Sequence, residues 1–141
     1  MFGGTFDPPH VGHLVTAVNV RYALALDVVL LVVASRPWQK EGARVISTGT
    51  DRFALTVAAV GDVEGVEASA IELDRDGPSY TSDTLAELAS TYTDAQFFTI
   101  LGRDAAAGLH TWERWPEVVS RSRMVVVDRP GSTDALPGGV A

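Results

Sequence analysis

A short run of valine and leucine at residues 28–34, "VVLLVVA", constrains the fold of this chain more than any other stretch. It is almost wholly apolar, which is typical of a strand that is covered on both faces, and strands of this kind occur in parallel sheets. Strand patterns also occupy residues 66–73, 95–101 and 123–129. The sequence therefore predicts a parallel sheet at the centre of the molecule.

Helical patterns separate these strands. They cover residues 11–26, 51–60, 82–92 and 104–120, and the last pattern is broken near His110. Because strands alternate with helices, we expect βαβ units and an α/β fold class. In such sheets ligands bind beyond the carboxyl ends of the strands, near the point where the strand order reverses.

The composition limits the partners that we expect. A formal net charge of −7 argues against non-specific binding to nucleic acid and against docking on an anionic membrane, although a local site can still hold a small anion. The chain has no cysteine, which excludes disulfides and thiolate chemistry. No stretch is long and apolar enough to span a bilayer, and no signal peptide precedes the first motif. We therefore expect a cytoplasmic protein.

Two glycines, a proline turn and two histidines open the chain as "GGTFDPPHVGHL". Gly3 and Gly4 follow a short apolar strand and would let the backbone turn tightly or approach a ligand. Residues 7–9, Asp-Pro-Pro, are typical of a turn, and a helix follows them. The first amide groups of a helix favour an anion, and His10 and His13 could donate to the same phosphate oxygens.

Each part of this stretch also has a simpler interpretation. Glycine pairs are common in purely structural turns between strands and helices. Two histidines three residues apart could form half of a metal site, although no cysteine accompanies them and no glutamate lies on the same turn. The combination of these features indicates a ligand site more specifically than any one of them does. The stretch matches neither a Walker loop nor the dinucleotide GxGxxG pattern.

The opening stretch resembles the signature of the nucleotidylyltransferase superfamily, whose core pattern is His-x-Gly-His and which here reads His10-Val11-Gly12-His13. Three further segments narrow the resemblance to bacterial nicotinate-nucleotide adenylyltransferases. They are "RPWQK" at residues 36–40, "GPSYTSDTL" at 77–85 and "LGRDAAAGLHTWERW" at 101–115. The segments occur in the order that this family shows.

The resemblance implies a Rossmann-like fold, doubly wound, with a mostly parallel sheet and helices on both faces. The nucleotidylyltransferase domain would span residues 1–131, followed by a flexible tail at 132–141. The reaction would transfer an adenylyl group from ATP to nicotinate mononucleotide, giving deamido-NAD and pyrophosphate. Mg²⁺ would be carried on the ATP phosphates and not in a protein cage.

The resemblance also assigns roles to the residues that match its motifs. His10 and His13 would contact the triphosphate and stabilise the transition state. The ATP-binding residues would be Gly3, Gly4, Thr5, Phe6, Gly12, Gly102 and Asp104, with the Asp104 carboxylate on the ribose hydroxyls. The nicotinate mononucleotide would be held by Tyr80, Thr81, Ser82 and Trp112, with Trp112 stacked on the nicotinate ring.

Several of these residues have alternative roles. Trp112 could be a core residue, which is the interpretation that we give to Trp115. Thr81 or Ser82 could simply cap a helix, and Asp104 could do the same. Three basic residues outside the predicted site could either neutralise phosphates or be solvated: Lys40, Arg44 and Arg52.

Two departures from the family pattern leave other functions open. Only Met1 and Phe2 precede the glycines where the family has a full first strand, and the Ser-Ser/Thr-x-x-Arg motif that binds ATP phosphates is missing. The chain could therefore be a truncated, non-catalytic nucleotide-binding homologue. It could also be a nucleotidylyltransferase that acts on another phosphorylated acceptor. The sequence does not determine the oligomeric state, and it allows a homo-oligomer.

Overall fold

The computed structural model describes residues 1–35, 46–75 and 77–128. The segment predicted at residues 36–40 and the predicted tail at 132–141 lie outside these ranges, as do Lys40 and Arg44. The chain divides into two compact units, Met1–Ser79 and Tyr80–Ala141.

The described residues of the first unit form three strands and two helices. In chain order they are β1 (Phe2–Gly4), α1 (Val11–Leu24), β2 (Val29–Val33), α2 (Gly49–Val60) and β3 (Val66–Ser69). Both strand pairs are parallel, and β2 lies between β1 and β3. The valine-rich run predicted at residues 28–34 is this central strand, and Leu31, Val32 and Val33 are completely buried in it.

Local signals explain where these elements begin and end. Thr48 caps α2, because its hydroxyl accepts a hydrogen bond from the Asp51 amide at 3.1 Å. Helix α1 ends at Leu24, two residues earlier than predicted, because Ala25 adopts a left-handed conformation. The strand predicted at residues 66–73 ends at Ser69, because the chain then turns and the Asp74 amide bonds to the Ala70 carbonyl.

Within residues 80–128, the second unit forms three helices, a short 3₁₀ helix and two strands. In chain order they are α3 (Thr81–Thr91), β4 (Phe98–Gly102), α4 (Arg103–Ala107), the 3₁₀ helix (Leu109–Thr111), α5 (Trp115–Arg121) and β5 (Arg123–Val127). The two strands are parallel, with Phe98 opposite Arg123 and Gly102 opposite Val127. The predicted break near His110 is confirmed, since this residue lies in the 3₁₀ helix between α4 and α5.

Most of the buried side chains of each unit come from strands and from the inward faces of helices. In the second unit they include Leu85, Leu88, Ile100, Leu101, Leu109 and Val118. Among the helices of the described residues, none combines the length and the apolarity that are needed to cross a bilayer.

Candidate functional site

The chain turns after the two glycines and not at them. Gly3 and Gly4 are strand residues of β1 and pair with Val32 and Val33 of β2. The residue that takes a left-handed conformation is Phe6, with φ of 50°. Of the two roles expected for the glycine pair, the tight turn is therefore wrong, while the close approach to a ligand stays a prediction. We call residues 5–13, where the chain passes from β1 into α1, the opening turn.

Gly4 and Gly12 are needed for close packing within and beside the opening turn. A Cβ atom on Gly4 would lie 3.0 Å from Cζ of Phe6, so the Phe6 ring covers the end of β1. A Cβ atom on Gly12 would lie 2.9 Å from Cε1 of His10. A distance of 2.9 Å is shorter than real Cβ contacts, and one of 3.0 Å is tighter than nearly all of them, so a ring would have to move in either case. The two glycines therefore make room for the Phe6 and His10 rings.

His10 and His13 together cap the N-terminus of α1. His10 is the N-cap residue, and its Nδ1 accepts a hydrogen bond from the Gly12 amide at 3.1 Å. The His13 Nδ1 accepts from the His10 amide at 3.0 Å. This is a capping box in which two imidazoles replace the usual hydroxyl and carboxylate. A neutral imidazole that accepts at Nδ1 carries its proton on Nε2, so each ring presents an Nε2–H donor.

The two imidazoles are stacked, and His13 also contacts aromatic rings. The ring centroids of His10 and His13 are 3.7 Å apart, with an angle of 24° between the planes. The Phe6 ring meets His13 edge to face at 4.9 Å, and the Phe2 ring does so at 6.0 Å. His13 is partly buried as a result, whereas His10 is exposed. The opening turn thus brings both predicted catalytic histidines together.

Arg52 is neither solvated nor available to phosphates, in contrast to both expectations for it. The residue lies on α2 and is buried, and its guanidinium donates to backbone carbonyls. Burial lowers the pKa of Arg52 from its ordinary value, and the negative charge of Asp7 partly opposes this effect. Sequence reasoning missed this structural role, because nothing in the local pattern distinguishes a buried arginine from an exposed one.

The start of α3 holds the residues predicted to bind the nicotinate carboxylate. Tyr80 is the N-cap residue and makes no capping hydrogen bond through its side chain. Thr81 and Ser82 are the first two residues of the helix, so the alternative that either of them is the N-cap is wrong. Within the described part of the chain, the Ser82 hydroxyl is buried and has no hydrogen-bond partner.

An arginine that sequence reasoning missed holds the Trp112 segment against α3. Arg114 adopts a left-handed conformation before α5, with φ of 49°, and pairs with Asp83 in the first turn of α3. Glu113 and Glu117 lie 3.7 and 3.8 Å from the same guanidinium. The ion pair joins residues 31 positions apart, so no spacing pattern could have revealed it.

The two tryptophans of this segment differ in burial. Trp112 follows the 3₁₀ helix and is half-buried. Trp115 opens α5 and is 39% exposed, so the prediction that it is a core residue is wrong. A half-buried indole at a loop is suited to stacking, because part of the ring is fixed by packing while another part stays accessible.

Gly102 and Asp104 lie where β4 passes into α4. Gly102 is the N-cap residue and Asp104 is the second residue of the helix, so the alternative role of Asp104 as an N-cap is wrong. The neighbouring Arg103 forms an ion pair with Asp128, just after β5, in which Nη2 and Oδ2 are 3.3 Å apart. Hydrogen bonding to Arg103 lowers the pKa of the Asp128 carboxyl. This ion pair fixes α4 at the carboxyl ends of both strands.

No group of three or more metal-ligating side chains that could hold an ion occurs in residues 1–35, 46–75 and 77–128. The histidine pair of the opening turn therefore has no further ligand beside it within these ranges. Both imidazoles also use Nδ1 for the helix cap. The arrangement is suited to donating hydrogen bonds to an anion from Nε2.

A model of the cytidylyltransferase-like family matches residues 1–138 of the chain. The chain belongs to the cytidylyltransferase-like family. Its curated relatives include a protein of Streptomyces coelicolor that is named "Probable nicotinate-nucleotide adenylyltransferase". The two are 45% identical over 143 residues, which cover 99% of this chain and 76% of the relative.

A relative from Mycolicibacterium vanbaalenii carries the same name and is 42% identical over 131 residues. The match covers 93% of this cytidylyltransferase-like chain and 61% of that relative. The chain thus spans about three fifths of the length of its mycobacterial relatives.

Solved structures share the fold of this cytidylyltransferase-like chain. The Plasmodium falciparum nicotinic acid mononucleotide adenylyltransferase complexed with NaAD superposes with a TM-score of 0.78 over 92% of this chain and 63% of that chain, at 14% identity. The same protein complexed with APC gives a TM-score of 0.73. A likeness at this identity shows the fold alone, and it confirms the predicted α/β, Rossmann-like class.

Proposed function

We propose that this chain catalyses adenylyl transfer from ATP to nicotinate mononucleotide, giving deamido-NAD and pyrophosphate. The observation that carries the proposal is the pair of stacked imidazoles at the N-terminus of α1. Each imidazole is fixed through Nδ1 to a backbone amide, so its Nε2–H donor has a defined position. Donors that are fixed before the reaction stabilise developing charge without reorganisation at the moment of transfer.

In this reaction a phosphate oxygen of nicotinate mononucleotide attacks the α-phosphorus of ATP. The bond from that phosphorus to the bridging oxygen of the β-phosphate breaks, and pyrophosphate leaves. The protein has little covalent chemistry to perform, so it acts by positioning and by stabilising charge. His10 and His13 would donate to the phosphate oxygens, while Gly3, Gly4, Thr5, Phe6 and Gly12 would shape the backbone beside them.

Mg²⁺ would accompany ATP and be held by its phosphate oxygens, where it would neutralise negative charge. Gly102 and Asp104 would contact the adenosine, with the carboxylate on the ribose hydroxyls. Their place at the carboxyl end of β4 supports this role, because ligands bind at that end of parallel strands. We propose that the domain spans residues 1–131 and that the protein is cytoplasmic.

The start of α3 would take the carboxylate of the nicotinate ring. Two observations support this proposal. Tyr80 provides no side-chain cap, so the first amide groups of the helix lack that partner, and the Ser82 hydroxyl is buried without one in the described residues. A carboxylate would satisfy these donors and interact favourably with the positive end of the helix dipole. Trp112 would stack on the ring.

The test is to incubate the chain with nicotinate mononucleotide, ATP and Mg²⁺ and to measure deamido-NAD by chromatography. A variant with His10→Ala and His13→Ala controls for contaminating enzyme. Deamido-NAD that the wild-type chain forms and the double variant does not form supports the proposal.

Two further arms identify other outcomes. Replacing the acceptor by nicotinamide mononucleotide, or ATP by CTP, tests for a different substrate. A folded chain that forms no product in any arm, yet binds ATP by calorimetry, would be a non-catalytic nucleotide-binding module.

A further inference from the structure

The guanidinium of Arg52 joins three separate segments of the first unit. Arg52 is 1% exposed, although it is always charged. Its Nε donates to the Ser47 carbonyl at 2.8 Å, and its Nη1 donates to the carbonyls of Thr5, at 2.9 Å, and of Ala34. Its Nη2 donates to the Ser35 carbonyl at 3.3 Å. Because the guanidinium is planar and its donors are fixed, these carbonyls are held in one arrangement.

Two of these carbonyls lie just beyond the ends of adjacent strands. Thr5 follows β1 and begins the opening turn, while Ala34 follows β2. The Thr5 carbonyl belongs to the peptide group that precedes Phe6, where the backbone becomes left-handed. A bond to that carbonyl fixes the plane of the peptide and therefore the direction in which the opening turn leaves the sheet.

A second contact holds the opening turn to the same segment. The Asp7 carboxylate accepts a hydrogen bond from the Ser47 amide at 2.9 Å. The Ser47 carbonyl thus accepts a hydrogen bond from Arg52, and the Ser47 amide donates one to Asp7. The segment before α2 therefore holds the opening turn at two points, Thr5 and Asp7.

The same network reaches the chain that leads into α3. The Ser35 amide donates to the Ser79 hydroxyl at 2.9 Å, and the Ser35 hydroxyl donates to the Gly77 carbonyl at 3.3 Å. Because Arg52 also binds the Ser35 carbonyl, one side chain is linked to the opening turn and to residues 77–79.

We propose that Arg52 is a positioning residue for adenylyl transfer, which holds the opening turn against the ends of β1 and β2 so that the histidines meet the ATP phosphates in one fixed geometry. This inference rests on the proposed function. Arg52 acts through backbone carbonyls and touches no substrate. A residue of this kind affects the rate of the chemical step more than the binding of the substrates.

The test compares wild-type protein with Arg52→Lys, which keeps the charge but loses the planar fork of donors. We expect kcat to fall about 30-fold, since displacements near 1 Å can cost up to about 100-fold. KM for nicotinate mononucleotide should change less than about twofold, because the variant leaves the residues that are proposed to bind this substrate unchanged. Ethylguanidinium added to Arg52→Ala should restore part of the lost turnover.

The matched control is Arg21→Lys. Arg21 also lies on a helix of the first unit and donates to one backbone carbonyl, that of Asp27, at 3.3 Å. We expect this variant to retain the wild-type kcat. An unchanged kcat in folded Arg52→Lys, or an equal fall in both lysine variants, would overturn the proposal.

Hydrogen exchange provides a readout that does not depend on activity. In Arg52→Lys the amides of residues 2–13 should exchange about tenfold faster, while those of α2 and of the second unit keep wild-type rates. Unchanged exchange, or loss of the whole fold in both Arg52 variants, would refute the positioning role. Wild-type protein that makes no product would refute the proposed function instead, and the exchange result would still decide the role of Arg52.

Discussion

The opening turn and the start of α3 differ in how their hydrogen-bond donors are satisfied. In the opening turn, side chains of the chain itself cap the helix, since His10 accepts from Gly12 and His13 accepts from His10. At the start of α3 the N-cap residue Tyr80 makes no capping hydrogen bond through its side chain, and among the described residues the buried Ser82 hydroxyl has no partner. The donors of the first region are fixed by the chain itself, whereas the second region has a buried hydroxyl that, in the proposed function, a substrate would satisfy.

This difference fits two kinds of chemistry. Charge that develops during transfer is best stabilised by donors that do not have to move. A substrate carboxylate is already charged before the reaction, and it can itself accept hydrogen bonds from the first amide groups of a helix. The predicted variants change the opening turn, the start of α3 or Trp112, which is proposed to bind the same substrate as the start of α3.

The largest effect is expected for His13→Ala. We expect a loss of turnover on the order of 100- to 1,000-fold, as for removal of one fixed donor at a developing charge. Stability should fall by only about 1 kcal/mol, the usual cost of losing a capping contact. The measurements are deamido-NAD formation and thermal unfolding followed by circular dichroism.

The control for this variant is His110→Ala, which also removes an imidazole but from an exposed position of the 3₁₀ helix. Wild-type turnover in folded His13→Ala would show that the histidine pair caps the helix and does nothing more.

Gly12→Ala should disturb the opening turn without removing a donor. The new Cβ would lie 2.9 Å from Cε1 of His10, so the imidazole must move. We expect kcat to fall about tenfold, because small displacements of catalytic groups are costly. Val11→Ala, at an exposed neighbouring position, is the control in the same kinetic assay. Equal rates in the two variants would argue against a fixed position for His10.

Trp112→Ala should affect the nicotinate nucleotide more than ATP. Loss of a stacking contact with a cationic ring is worth about 1 kcal/mol, so KM for nicotinate mononucleotide should rise about fivefold. KM for ATP should stay near its wild-type value. Trp115→Ala, at the exposed indole of α5, serves as the control. Equal changes in both KM values would indicate that Trp112 is a structural residue.

Ser82→Ala is expected to have the smallest effect on activity and an unusual effect on stability. It removes a buried hydroxyl that has no partner in the described residues, so the free energy of unfolding should rise by about 1 kcal/mol. If the hydroxyl binds substrate, KM for nicotinate mononucleotide should rise about threefold.

The matched variant is Ser122→Ala. The Ser122 hydroxyl is also buried, but it bonds to Thr99 at 2.6 Å. Its loss leaves Thr99 unsatisfied and should destabilise the protein by about 1 to 3 kcal/mol. Urea unfolding of both variants measures the contrast. Destabilisation of similar size in both would mean that Ser82 has a partner after all.

The fold class could be predicted from the sequence because its signals are local. The buried strand β2 is a continuous apolar run, and only a strand covered on both faces makes such a run favourable. The helix break before α5 was also visible in the pattern. Errors occurred where a turn competes with a periodic pattern, as after Ser69, where hydrogen bonds of the next turn end the strand.

The candidate site was predictable only in part. The histidine pair could be predicted because both residues lie in one short motif and on one helix turn. The exposure of Trp115 and the pair formed by Arg114 and Asp83 could not be predicted, since they depend on which helix faces meet. The glycine pair was misassigned because a glycine in a strand and a glycine in a turn look alike in sequence.

The alternation of strands and helices, the family and the two histidines follow from the amino-acid sequence alone, because these features depend on residues that are close along the chain. The contacts of Arg52, in contrast, follow only from the tertiary structure. Its carbonyl partners lie between 5 and 47 residues away, in segments that meet only when β1, β2 and α2 have packed together. A buried guanidinium is stable only where such acceptors converge, and convergence is a property of the folded chain.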